Sequence, residues 1–248
     1  MTRPQSDALL DRLLRLSTKD RDIVLRQLSP VQRRGLDELW SMWALAGQLE
    51  PPGDWRIWVM QAGRGFGKTR AGAEWVSEIA RQFPGARIAL VAATIDEARR
   101  VMVEGDSGVL SVVRAHEEIT WLRDRNEIVF ASTARAYLYS AGAPESLRGP
   151  QHDAAWCDEL AKWRYGDTAW SNLLLGLRLG VRPRVVVTTT PKPAPGPSGW
   201  IRAALRRTWR GCGRAWKARW ARARIGRGGR WKRRCCARSG RASWGSTT

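Results

Sequence analysis

Residues 57–75 read Ile57-Trp58-Val59-Met60-Gln61-Ala62-Gly63-Arg64-Gly65-Phe66-Gly67-Lys68-Thr69-Arg70-Ala71-Gly72-Ala73-Glu74-Trp75, and this stretch decides the fold. Its apolar opening predicts a short buried strand, its glycine-rich middle a tight turn, and the residues after Lys68-Thr69 a helix. Glycines let a backbone turn tightly enough for successive N–H groups to point at phosphate oxygens. A lysine there supplies a point charge to the β- and γ-phosphates, and the threonine hydroxyl after it can ligate Mg2+. The start of the helix adds its positive dipole end to the same anion site. Gly63, Gly65, Gly67, Lys68 and Thr69 are therefore expected to form a nucleotide phosphate site of Walker A layout. The common pattern has a glycine five residues before Gly67, where this chain has Ala62 with Gly63 beside it. A chance Gly-Lys-Thr in a bland turn would lack the strand before it and the helix after it.

Downstream, Pro84-Gly85 breaks the chain and Arg87 to Ala93 predicts a second buried strand. Thr94 can cap a helix with Asp96 and Glu97 in its first turn, running on through Ala98, Val101 and Met102. Ile119–Leu122 and Glu127–Ala131 predict a hairpin, and Ala136–Ser140 a further strand. Alternating strands and helices before a hairpin insertion give an α/β class, with helices on both faces of a mainly parallel sheet.

Two later stretches carry chemistry. Asp153-Ala154-Ala155-Trp156-Cys157-Asp158-Glu159 is a short apolar run ending in two carboxylates, a Walker B layout. The first carboxylate, Asp158, would serve the Mg2+ shell, and Glu159 would orient and deprotonate the attacking water. Adjacent side chains at a strand end point apart, so the two roles can be divided. Arg184-Val185-Val186-Val187-Thr188-Thr189-Thr190-Pro191 predicts a central strand whose terminal hydroxyls face the ligand crevice of an α/β sheet. Threonines also simply favour strands. Gln48, in the loop before the first strand, can read an adenine edge because its amide both donates and accepts; taken alone it reads as a loop residue.

Ahead of the phosphate loop, residues 7–28 place Leu9, Leu10, Leu13, Leu14, Leu16, Ile23, Val24 and Leu28 at helical spacing. Pro30 suits an early helical position, and Leu36, Leu39, Trp40 and Trp43 continue the theme. The domain division is 1–50 helical, 51–193 P-loop domain and 194–248 an Arg/Trp-rich tail. The net charge of +20 is uneven: fourteen Arg and two Lys lie from Trp200 onward, and no acid follows Asp167. The body is only mildly basic, so the total charge overstates any nucleic-acid affinity of the folded part. Cys157, Cys212, Cys235 and Cys236 show no CxxC spacing, the adjacent Cys235-Cys236 pair is a poor clamp, and with His116 and His152 alone no zinc site is expected. The longest apolar run, Ile88 to Ile95, is too short to span a bilayer, so no membrane association is expected and a cytoplasmic location fits.

Gly63 through Trp75, Ser146-Leu147-Arg148-Gly149-Pro150 ahead of Asp158-Glu159, and Thr188 to Pro191 together resemble the ATPase half of a large terminase subunit. This is the DNA-packaging motor of tailed phages and gene transfer agents. The resemblance covers residues 35–193. It implies a P-loop NTPase of the ASCE type with ATP and Mg2+ as cofactors. Double-stranded DNA, a portal protein and a small terminase subunit are the implied partners, and a homo-oligomeric ring the implied assembly. By the same resemblance Gln48 falls at the adenine-contacting glutamine, and Arg64 at the arginine beside the γ-phosphate. Asp158 falls at the magnesium aspartate, Glu159 at the catalytic base, and Thr188, Thr189 and Thr190 at the motif coupling hydrolysis to movement. Arg148 is either an arginine finger acting on a neighbour's ATP or a structural arginine holding its loop.

Large terminases continue into a carboxylate-rich nuclease, and the acids here stop at Asp167, so nuclease chemistry is not expected from this chain. The tail, with Trp200, Trp209, Trp216, Trp220, Trp231 and Trp244 among its arginines, could clamp nucleic acid by charge and stacking. Its lack of acids and of apolar periodicity also matches a GC-rich gene read out of frame, which favours a disordered, frameshift-derived tail. The contrasting class is a non-catalytic basic nucleic-acid-binding protein on a degenerate P-loop scaffold. A helicase would need a second motor domain.

Overall fold

The structure, a computed structural model, describes residues 15–191. The leucines at positions 9–14 and the tail expected to be disordered lie outside the described residues.

Helix α1 (Thr18–Gln27) starts at Ser17, whose hydroxyl accepts from the Asp20 amide, and α2 (Pro30–Asp37) starts at Ser29. Ser29 and Gln32 form a reciprocal capping box, and Pro30 occupies the first helical position, where no N–H is needed. A single turn, α3 (Trp40–Trp43), follows, and Trp40 packs on the main core.

The chain then enters β1 (Ile57–Gln61), turns through the glycine loop and continues as α4 (Lys68–Gln82). β2 (Arg87–Ala92) leads to Thr94, whose hydroxyl caps α5 (Ile95–Glu97). The helical path continues from there as a wider π-helical turn, Ala98–Val103. The hairpin is β3 (Ile119–Leu122) and β4 (Glu127–Phe130), followed by β5 (Arg135–Ser140). β6 (Ala154–Asp158), α6 (Gly166–Gly176) and β7 (Arg184–Thr189) complete the described fold.

The strands form one sheet in the order β1-β7-β6-β2-β5-β4-β3. The β1–β7, β7–β6, β6–β2 and β2–β5 pairs are parallel, and the hairpin adds its strands antiparallel at the β5 edge. On one face Trp75, Val76 and Ile79 of α4, with Met102 and Val103, bury Ile88, Leu90, Trp156 and Val186. On the other, Ala169, Trp170 and Leu173 of α6 bury Ala89, Val91, Ala155, Cys157, Val185 and Val187. Helices thus cover both faces, which is why β2, β6 and β7 read as nearly unbroken apolar runs rather than alternating ones. Trp156 is completely buried at the centre. Burying one indole of this size stabilises a fold by about 4–6 kcal/mol before its ordering entropy is counted.

Candidate active site

The parallel register brings the C-terminal ends of three strands side by side. Met60 and Gln61 of β1 stand opposite Thr188 and Thr189 of β7, and Thr188 stands opposite Asp158 of β6. Only β7 separates the phosphate-loop strand from the carboxylate strand, so the two lie about 10 Å apart. The Ala62 amide donates to the Thr189 carbonyl at 3.3 Å, which carries the sheet one bond into the loop.

Gly65 and Gly67 have φ of 75° and 78°, left-handed values that a side chain would strain. Gly67 is required for a second reason: a Cβ there would lie 2.5 Å from Gln48 Nε2. Gln48 is buried, with its Nε2 donating to the Phe66 carbonyl and its Oε1 accepting from the Leu45 amide at 2.6 Å. In this structure its amide therefore braces the back of the phosphate loop. Gly63 is exposed and not left-handed, so the fold alone does not demand glycine there. Lys68 is buried at the first position of α4, and its ammonium donates to the carbonyls of Ala62 and Gly63, both at 2.9 Å. Thr69 follows, half-buried, its hydroxyl without a hydrogen bond among the described residues, and Arg64 is exposed on the loop.

The two carboxylates are held differently. Asp158 is buried and accepts from the Thr188 hydroxyl at 2.6 Å. Burial, and less strongly the Glu159 charge, push its carboxyl up to about 6, against the Thr188 hydrogen bond, which acts downward. Glu159 leaves the strand in a left-handed conformation (φ 44°, ψ 48°), which ends the strand's alternation of side chains. Its Oε1 accepts from the Thr190 hydroxyl at 2.6 Å and its Oε2 from the Thr190 amide at 3.2 Å. Among the described residues neither carboxylate has an ion-pair partner within 4.0 Å.

Adjacent acids, one buried and neither paired, fit a divalent cation. Among the described residues no three His, Cys, Asp or Glu side chains cluster as a self-sufficient metal cage. Mg2+ does not need one, because it binds through one or two carboxylates together with water and substrate phosphate. Asp158 and the unengaged Thr69 hydroxyl suit that mode.

The threonines correct one expectation. Thr188 and Thr189 are buried rather than lining a crevice. A strand alternates its side chains, and β7 is central and covered on both faces, so each hydroxyl turns inward. Thr188 binds Asp158, Thr189 accepts from the Ala161 amide at 3.4 Å, and Thr190, half-buried, grips Glu159. All three hydroxyls serve the segment that carries the carboxylates. Arg148 lies on the surface with its side chain 76% exposed and a loose 3.6 Å pair to Glu145. Its guanidinium holds no backbone of its own loop. Sequence reasoning missed Trp156 as more than core; the paired signal was Gly72, a glycine inside a helix that faces the sheet.

No helix among the described residues is long and apolar enough to cross a membrane. No curated protein sequence matches the chain. Among solved structures it is similar to the large terminase of a thermophilic bacteriophage, at 14% identity and a TM-score of 0.51. That match covers 72% of this chain and 42% of the phage protein, so the chain spans less than half the length of that terminase. The ATPase domain of the Thermus phage P74-26 large terminase aligns at 20% identity over 64% of this chain and 70% of that one, with a TM-score of 0.49. The first of these terminases, in complex with ATP-gamma-S, aligns at 15% identity over 78% of this chain and 49% of that one, also with a TM-score of 0.49. Residues 59–226 match the family described as terminase large subunit, T4likevirus-type, N-terminal, a range that runs past residue 193 into the basic stretch. The chain belongs to that family of large terminase subunits, and its fold is the P-loop NTPase fold of their ATPase domain.

Proposed function

We propose that the chain is the ATP-hydrolysing motor part of a large terminase, which converts hydrolysis into movement of double-stranded DNA into a capsid. The observation that carries this reading is the convergence at the C-terminal end of β7: Thr188 and, just past the strand, Thr190 hold Asp158 and Glu159, beside the loop that Lys68 closes.

In this reading the loop amides and Lys68 bind the β- and γ-phosphates, and Gln48 sets the loop's position behind them. Thr69 and Asp158 hold Mg2+, which neutralises phosphate charge when bound. Glu159 orients a water and takes its proton as that water attacks the γ-phosphorus, while the ADP oxygen leaves. Arg64, exposed on the loop, and Arg148 from a neighbouring copy supply guanidinium charge to the transferring phosphoryl. A ring of copies, a portal protein, a small terminase subunit and duplex DNA are the partners this function requires.

The test is phosphate release by the full chain with and without duplex DNA. DNA-stimulated release that Lys68→Ala abolishes through lost nucleotide binding, and Glu159→Gln abolishes with binding retained, is the expected result. DNA binding without nucleotide binding or turnover would instead support a non-catalytic nucleic-acid-binding protein.

A further inference from the structure

Trp156 stands two residues before Asp158 and is completely buried. Its indole Nε1 lies 2.9 Å from Thr188 Oγ1, and that hydroxyl lies 2.6 Å from Asp158 Oδ1. An indole N–H can only donate, and a hydroxyl has one proton. With Trp156 donating to it, Thr188 must send its own proton elsewhere. The acceptors within reach are Asp158 Oδ1 and, at 3.3 Å, the Cys157 carbonyl. The shorter bond, to an acid that carries charge when ionised, is the stronger of the two. The tryptophan thereby sets the polarity of the bond that holds Asp158.

The ring is itself fixed. It packs against Gly72 of α4, where a Cβ would lie 2.2 Å from Cε2 and 2.5 Å from Nε1. Gly72 is one helical turn beyond Lys68, so the helix that carries the phosphate lysine also backs the indole that aims the carboxylate.

We propose that Trp156 is a positioning residue for the metal aspartate: by obliging Thr188 to donate, it holds the Asp158 carboxylate ready to receive Mg2+ with Thr69. The proposal rests on the reading of Asp158 as the Mg2+ ligand. It predicts that removing the indole N–H weakens the metal response of nucleotide binding without weakening metal-free nucleotide binding.

The experiment uses the full chain, a fluorescent ATP analogue titrated in EDTA and at a series of Mg2+ concentrations, and a melting curve for each variant. Trp156→Phe should raise the half-saturating Mg2+ concentration about 3- to 10-fold, below the roughly 10- to 100-fold typical when a residue touching a metal ligand is lost. Its affinity in EDTA should match the wild type. Thr188→Val should shift the Mg2+ response in the same direction, Thr188→Ser should restore it, and Trp156→Phe with Thr188→Val should shift it no further than Thr188→Val alone.

A normal Mg2+ response in folded Trp156→Phe, while Asp158→Asn shifts that response, overturns the positioning role. Independent, multiplying shifts in the double variant overturn the relay through Thr188. Should Trp156→Phe not fold, the Thr188 pair decides, and a normal response in Thr188→Val sinks the proposal. If Asp158→Asn itself leaves the Mg2+ response intact, the assignment of the metal aspartate falls first.

Discussion

Thr190 holds both carboxylate oxygens of Glu159, through its hydroxyl at 2.6 Å and its backbone amide at 3.2 Å. The residue it holds sits in a left-handed backbone conformation, a class of strain that costs about 1–3 kcal/mol and persists where surrounding contacts impose it. Hydrogen bonds to a charged acceptor contribute about 1.5–3 kcal/mol each, enough to offset it. The end of β7 therefore fixes where the proposed base points. Thr190→Val keeps the amide and loses the hydroxyl. It should lower kcat about tenfold with KM for ATP nearly unchanged, because it misplaces a group used in the chemical step. Thr190→Ser should recover most of the loss. Wild-type turnover in Thr190→Val would show that the clamp has no part in aiming Glu159.

Among the described residues the Arg148 side chain makes only one polar contact, a loose 3.6 Å pair with Glu145. Its pair with Glu145 joins two largely exposed side chains, a kind of pair that contributes roughly 0–1 kcal/mol at most. Arg148→Ala should leave the melting temperature within about 3 °C of wild type. If the guanidinium acts on a neighbouring copy, ATPase activity should rise more than linearly with protein concentration. Mixing Arg148→Ala with Glu159→Gln subunits should then restore part of the activity that neither has alone. Absence of rescue at every ratio, in preparations shown to assemble, would exclude action in trans.

Much of this was legible in the sequence because the chemistry-bearing residues announce their own geometry. Gly65 and Gly67 mark left-handed turns, Lys68-Thr69 the helix start, and Asp158-Glu159 a strand end. The order β1-β7-β6 was not legible, since which strand lies between two others depends on crossovers that no local pattern records. Helix α6 escaped notice because it is short, begins and ends in glycine, and buries only Ala169, Trp170 and Leu173 among its larger apolar residues. The inward turn of Thr188 and Thr189 could have been read from strand alternation on a doubly covered sheet. The indole N–H of Trp156 could not, because a tryptophan in an apolar run looks the same whether its nitrogen is used or idle.

Gly72 tests the packing between α4 and the sheet. An added methyl would fall 2.2–2.6 Å from three atoms of the Trp156 ring, and both residues are held by the core. Gly72→Ala would gain helix propensity of about 1 kcal/mol and lose more to overpacking, which costs about 1–3 kcal/mol or above in a filled core. The expected result is a net destabilisation of about 2 kcal/mol on urea unfolding. Trp156→Phe in the same chain should relieve part of it, since the smaller ring vacates the clash. A Gly72→Ala variant as stable as wild type would mean that the helix and ring separate without cost.

His152 makes acid sensitivity predictable. The ring is buried, with Nε2 3.0 Å from the Tyr139 hydroxyl and Nδ1 without a hydrogen-bond partner among the described residues. Burial, and then the Arg87 charge, push its pKa down to about 4, against an ordinary value of 6.5. The unfolded chain takes up a proton near the ordinary value and the folded one does not until near 4, so the unfolded state binds more protons throughout that window. Folding stability contributed by this group is therefore complete above the window and is lost as the pH falls through it. At about pH 5 the loss reaches about 2 kcal/mol. His152→Gln, which cannot titrate, should start less stable near neutrality because it loses ring packing against Tyr137 and Tyr139. It should nevertheless lose about 2 kcal/mol less than wild type between about pH 7 and about pH 5. Urea unfolding at the two pH values measures that difference, and equal losses in the two proteins would mean that the folded state accommodates the charged imidazole after all.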